Sequence, residues 1–237
     1  MKSKILFPLL SIVATVMMVN AAPVDTSRFK EPVRVACVGD SITAGVGASK
    51  GNAYPAQLGR MLGEKWVVQN FGVSGTTLLN HGDHPYQKSG QFKKALASRP
   101  DIVIIKLGSN DTKPQNWKFK DEFIPDYKSL VDQFAQLPSK PRIFICHPAF
   151  VPGKGSYGIN EAAVLEQIPM LDKFAADEKF DVIDIHGALK DHPEMLPDRV
   201  HPNTAGATVM AKTVFQALTG KEYSGPEPVV AVAKKAP

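Results

Sequence analysis

Five short, mainly apolar runs recur along the chain, at 33–38, 66–70, 102–107, 142–147 and 181–185, each followed by room for a helix. No other feature constrains the fold as much. A strand with one wet face alternates apolar and polar side chains, whereas a strand buried on both faces of a parallel sheet is continuously apolar. Parallel strands need crossovers, and the intervening segments supply them. Residues 54–64, 91–97, 121–137 and 161–178 carry helical patterns, with Leu58, Met61 and Leu62 in the first and Phe123, Tyr127, Leu130 and Phe134 in the third. A last helix follows Asn203, with Ala207, Met210, Ala211, Val214 and Leu218 on one side and Gly220 as its stop. The pattern predicts an α/β fold: a three-layer α/β/α sandwich with right-handed crossovers and a site at the C-terminal ends of the strands.

The 237 residues, 43% of them hydrophobic, suit one well-filled domain, placed at 33–220. Residues 1–21 read as a cleavable export signal: Lys2 and Lys4, an apolar run, then Val19 and Ala21 at the positions a signal peptidase reads. The apolar run is about 15 residues, short of the roughly 20 that a span needs, so no stable membrane insertion is expected after cleavage. Cleavage is placed after Ala21, with Ala22 as the alternative, and there is no Cys at that point to take a lipid. Residues 22–32 form a lead-in. Residues 221–237, with three prolines and no period, read as a flexible tail. The net charge of +5 falls to +3 without Lys2 and Lys4, and no dense Lys/Arg stripe argues for nucleic acid.

Four loops hold the polar residues that could carry chemistry. Residues 39–45, Gly-Asp-Ser-Ile-Thr-Ala-Gly, follow the first strand and place Ser41 where a turn's free N–H groups can face a negative charge. Residues 71–77 follow the second strand, with Gly72 and Gly75 allowing close backbone approach. Gly108-Ser109-Asn110-Asp111 follows the third and presents the Asn110 carboxamide. Asp198-Arg199-Val200-His201 precedes the last helix, and the spacing lets Asp198 accept from the imidazole Nδ1 and leave Nε2 free as a base. Singly, each has a plain alternative: an N-cap serine, a glycine turn, an asparagine bridging a loop, a solvated histidine. Among the other histidines only His81-x-Asp83-His84 is tightly spaced, and it does not match a metal-ligand motif.

Taken in order on this scaffold, the four blocks resemble the SGNH, or GDSL-like, hydrolase superfamily over roughly 34–218, with Gly-Asp-Ser-Ile in place of Gly-Asp-Ser-Leu. The resemblance implies a flavodoxin-like sheet in order 2-1-3-4-5 and a serine esterase working through Ser41, His201 and Asp198. It implies an oxyanion hole of the Ser41 and Gly75 N–H groups and Asn110, with Gly72 the alternative to Gly75, and no cofactor or metal. Asp40 and Asp111 are expected to brace the loops by accepting from backbone N–H groups. The implied sheet order separates the strands of Cys37 and Cys146, so two buried free thiols are expected.

The segment 109–117 resembles that of exported bacterial carbohydrate O-acetylesterases, and Trp117 is placed as a candidate sugar-stacking residue. The leading expectation is an exported esterase acting on acetyl esters of a small-molecule or polysaccharide substrate. The blocks at 40–45 and 201–203 also resemble the periplasmic thioesterase/lysophospholipase branch, which stands as the alternative; a non-catalytic glycan-binding module on the same scaffold is a further one.

Overall fold

The computed structural model describes residues 22–230. Its strands are β1 (Val33–Gly39), β2 (Trp66–Gly72), β3 (Ile102–Lys106), β4 (Arg142–Cys146) and β5 (Asp181–Ile183). They form one sheet in the order β2-β1-β3-β4-β5, all pairs parallel, with Val35 in register with Val68 on one side and Ile102 on the other. The helices are α1 (Ser41–Ala44), α2 (Tyr54–Leu62), α3 (Gly90–Ala97), α4 (Pro114–Trp117), α5 (Phe123–Ala135), α6 (Glu161–Glu178), α7 (Ile185–Leu189) and α8 (Thr204–Thr219).

The period of two along each strand divides the interior into two cores. Val33, Val35 and Cys37 of β1, Ile102 and Ile104 of β3, and Phe144 and Cys146 of β4 point to one face, where α2, α7 and α8 cover them. Ala36, Val38, Val103, Ile105, Ile143 and Ile145 point to the other, under α3, α5 and α6. Every residue of β3 is buried. The four apolar residues 102–105 serve both layers, and Lys106 ends the strand.

Three features depart from the sequence reading. β2 is not buried on both faces: it is an edge strand, and Val67 is exposed. The fifth run ends early, because Ile185 starts α7, capped by Asp184 accepting from Gly187 N–H at 2.7 Å. Residues 221–230, read as part of a flexible tail, lie against the fold. Asn52 donates to Val230 O and accepts from Val230 N–H, both at 2.8 Å, Arg60 donates to Pro228 O, and Tyr223 packs edge-on against Phe215. The export signal (1–21) and residues 231–237 fall outside the described residues. No helix among the described residues is long and apolar enough to cross a membrane.

Cys37 and Cys146 are buried free thiols with β3 between their strands. Burial raises both, Cys37 to about 12, so neither serves as a nucleophile near neutral pH.

Candidate active site

The site assembles at the C-terminal ends of β1, β2 and β3, where the chain turns out of the sheet. β1 ends at Gly39, and Asp40 caps the single turn of α1 by accepting from Ile42 N–H at 3.0 Å. Ser41 is thereby held at the first helical position. The capping carboxylate is itself fully buried, and so is the lysine it pairs with: Lys106 Nζ, from the end of β3, meets Asp40 Oδ2 at 3.0 Å and donates to Ser109 Oγ at 2.7 Å. A buried pair with its protons and lone pairs engaged fixes the nucleophile turn against the third-strand loop. Lys106 was missed in the sequence; the signal was a lysine closing an otherwise wholly apolar run.

Across from Ser41 the loop before α8 carries the base. Ser41 Oγ lies 2.9 Å from His201 Nε2, and His201 Nδ1 lies 2.6 Å from Asp198 Oδ2. The two oxygens of Asp198 divide the work: Oδ1 accepts the N–H groups of Val200 and His201 at 3.0 and 2.7 Å, while Oδ2 faces the ring. Arg199 takes a left-handed φ of 66° to let the loop fold back in this way. A carboxylate at Nδ1 assigns the proton to that nitrogen and leaves Nε2 to accept from the serine hydroxyl. Burial pushes the Asp198 carboxyl up, but hydrogen bonds from the His201 ring and the two N–H groups outweigh it and hold it below the ordinary value. It stays ionised at working pH.

The third side of the site is built from the loops after β2 and β3. Asn110 is buried and its side-chain amide donates to Thr76 O at 3.0 Å, leaving a second N–H of the same nitrogen. The two glycines after β2 differ in kind. Gly72 N–H is taken by Asn70 Oδ1 at 2.9 Å, and a Cβ there would stand 2.2 Å from Ala44 N, so Gly72 exists to let α1 lie on the strand. Neither Gly75 N–H nor Ser41 N–H has an intramolecular acceptor among the described residues. Asp111 braces the loops by accepting Leu78 and Leu79 N–H at 3.0 and 2.8 Å; burial pushes its carboxyl up to about 7 against those bonds. Asn116, also buried, donates to Asn110 O and accepts from Asp83 N–H, tying the 80–85 loop to the amide-bearing turn.

Trp117 is placed differently from the sequence reading. Its indole N–H donates to Glu166 of α6 at 3.0 Å, and its ring meets Phe123 edge-on at 5.4 Å. It lines a surface cleft with Thr112, Pro114 and Asn160, a cleft to which Ser41, Asp198 and His201 do not contribute. The short turn of α4 directs the ring against α6 and the start of α5. His81, Asp83 and His84 also go separate ways. His81 pairs with Glu122 at 2.6 Å, Asp83 bonds Asn116, and exposed His84 places Nδ1 3.6 Å from where a Gly75 Cβ would stand. Among the described residues no cluster of three or more His, Cys, Asp or Glu could hold a metal ion. One residue absent from the sequence reading does reach the site: Tyr157, from the loop before α6, has its ring centroid 5.9 Å from that of His201.

The arrangement has the parts that acyl transfer requires: a hydroxyl, an imidazole oriented by a carboxylate, and amide donors nearby. Comparison with known proteins agrees with the geometry. The chain is 37% identical over 212 residues to an acetylxylan esterase of Xylanibacter ruminicola, covering 80% of this chain and 44% of the relative. It thus spans less than half the length of that curated relative. Among solved structures, an acetyl xylan esterase superposes with TM-score 0.63 at 23% identity, covering 78% of this chain and 100% of the other. A carbohydrate acetylesterase from Sinorhizobium meliloti superposes with TM-score 0.62 at 20% identity, covering 78% and 97%. Both share the fold. The model of the GDSL-like lipase/acylhydrolase family matches residues 37–209, which span Ser41, the loops of Gly75 and Asn110, and His201, and the chain belongs to that family.

Proposed function

We propose that this protein is an exported serine esterase that removes acetyl groups from carbohydrate. The observation that carries the reading is the unbroken relay from Ser41 Oγ through His201 to Asp198, at 2.9 and 2.6 Å. In this mechanism His201 Nε2 takes the Ser41 proton as Oγ attacks the ester carbonyl. The negative charge that develops on the carbonyl oxygen is met by the N–H groups of Ser41 and Gly75 and the second N–H of Asn110 Nδ2. Collapse expels the alcohol, which takes the proton back from Nε2, and leaves Ser41 acylated. Water then attacks with His201 as base, releasing acetate and free Ser41. Each proton passes through His201 Nε2, from Ser41 to the departing alcohol and then from water back to Ser41, and no cofactor or metal enters the scheme.

Support for the carbohydrate substrate comes from the acetylxylan esterase that this chain resembles at 37% identity. Export rests on the residues 1–21 pattern. The test is a substrate series: p-nitrophenyl acetate, butyrate and octanoate, beside acetate release from acetylated polysaccharide. A steep fall with chain length together with acetate release supports the reading. A preference for octanoate transfers the protein to the thioesterase/lysophospholipase branch, and no turnover of any ester leaves the glycan-binding module.

A further inference from the structure

In the relay above, the departing alcohol must collect its proton from His201 Nε2, so its oxygen comes within hydrogen-bond reach of that nitrogen, about 3 Å. The alcohol side of the ester therefore lies against His201, and the acyl side lies elsewhere. What stands beside His201 then decides which alcohol is accepted.

Tyr157 stands there. Its ring is tilted at 55° to the imidazole with centroids 5.9 Å apart, and the residue is 66% exposed, the largest exposure of any large apolar or aromatic side chain noted in the structure. Its hydroxyl makes a long, weak contact to Asp198 Oδ2 at 3.4 Å, so the carboxylate holds the phenol only loosely. The backbone is shaped to present it. Tyr157 adopts a left-handed φ of 56°, uncommon for a bulky side chain, in a hairpin closed by a Ser156–Ile159 bridge. Gly155 is required at the bend, since a Cβ there would fall 2.0 Å from Ile159 O. The hairpin is also rigid relative to the base: Val151 and Ile159 at its foot pack in one buried cluster with Val164 and with Val200, the neighbour of His201. The ring touches His201 on one side and, at 66% exposure, leaves an aromatic face open beside the general base.

We propose that Tyr157 is the platform for the leaving group: the apolar C–H face of the sugar whose acetyl ester is cleaved stacks on its ring. The residue then sets the choice of alcohol and leaves the choice of acyl chain to the opposite side of Ser41. This rests on the carbohydrate reading above.

The test compares wild type with Tyr157→Ala, Tyr157→Phe and Tyr157→Trp on an acetylated methyl xyloside, ethyl acetate and ethyl butyrate. The kcat/KM ratio of acetyl xyloside to ethyl acetate falls about tenfold in the alanine variant, carried by KM, and stays within about threefold of wild type in Phe and Trp, which keep the ring. The ratio of ethyl acetate to ethyl butyrate is preserved in all three. An unchanged xyloside ratio in Tyr157→Ala overturns the proposal, whether both esters fall together or neither does, since a residue that only props the relay affects every ester alike. Failure of the carbohydrate reading is seen separately, in wild type that cleaves ethyl acetate and leaves the xyloside intact.

Discussion

Replacing Lys106 by Met tests how the nucleophile turn is held. The lysine is fully buried, and Nζ reaches Asp40 at 3.0 and 3.3 Å and Ser109 Oγ at 2.7 Å. Met keeps the length of the side chain and removes the charge. What is left is the Asp40 carboxylate, also fully buried, with the Ile42 N–H as its remaining recorded donor. Removing one partner of a buried pair costs about 3–5 kcal/mol, because the other charge stays desolvated and uncompensated. In a chain of this size each kcal/mol shifts Tm by about 2–4 °C, so Lys106→Met should melt about 6–20 °C below wild type. The paired change Asp40→Asn with Lys106→Met removes both buried charges, and Asn keeps the cap on Ile42. It should recover most of the loss. The assay is urea unfolding followed by far-UV circular dichroism, with m-values compared across the three proteins. A single-variant loss under about 1 kcal/mol, or a double variant no more stable than the single one, refutes the reasoning.

Asn110→Ala should lower kcat about a hundredfold, roughly 3 kcal/mol of transition-state stabilisation, measured at saturating ester; a loss below about tenfold would leave Asn110 as a loop brace only. His147 is buried with Nδ1 3.0 Å from Asp184 and Nε2 2.8 Å from Asp172, so the protonated ring donates to a carboxylate from each nitrogen. Burial lowers its pKa, but the two carboxylates outweigh that and raise it above 6.5. The stabilisation is therefore complete below pH 6.5 and is lost as pH climbs through the raised value. His147→Gln should flatten the decline in Tm on the alkaline side, and an unaltered decline would remove His147 as its source. Asn52→Ala deletes both bonds to Val230 and the Arg60 contact, and limited proteolysis should then cut within 221–230 faster than in wild type.

Much of the architecture was legible because the burial it demands is written in the side chains. The run at 102–107 reads as a central strand, and its residues 102–105 alternate between the two cores. The limits are equally physical. Trp66-Val67-Val68 looks like an interior strand, since a local run carries no record of whether a neighbour covers both faces. Ile185 extends an apolar run yet begins a helix, because a buried helix start and a buried strand end share one composition. The proline-bearing segment after Gly220 has no core pattern of its own; it is held by Asn52 and Arg60, well over a hundred residues away. At the site, the four blocks stand out because they lie where strands end or the last helix begins, and the structure brings Ser41, His201 and Asp198 within hydrogen-bond reach. Lys106 and Tyr157 escaped, one because its partner Asp40 lies 66 residues away, the other because its loop has no period. Proximity of Trp117 to Asn110 in sequence does not fix the direction in which a four-residue helix points its ring, and the indole meets Glu166.

The central claim is that Ser41 is the nucleophile, and covalent labelling tests it most directly. A fluorophosphonate probe should modify the protein once, with mass spectrometry of the digest placing the adduct on Ser41, and Ser41→Ala should fold normally and take no label. An adduct on another residue, or equal labelling of Ser41→Ala, would contradict the account.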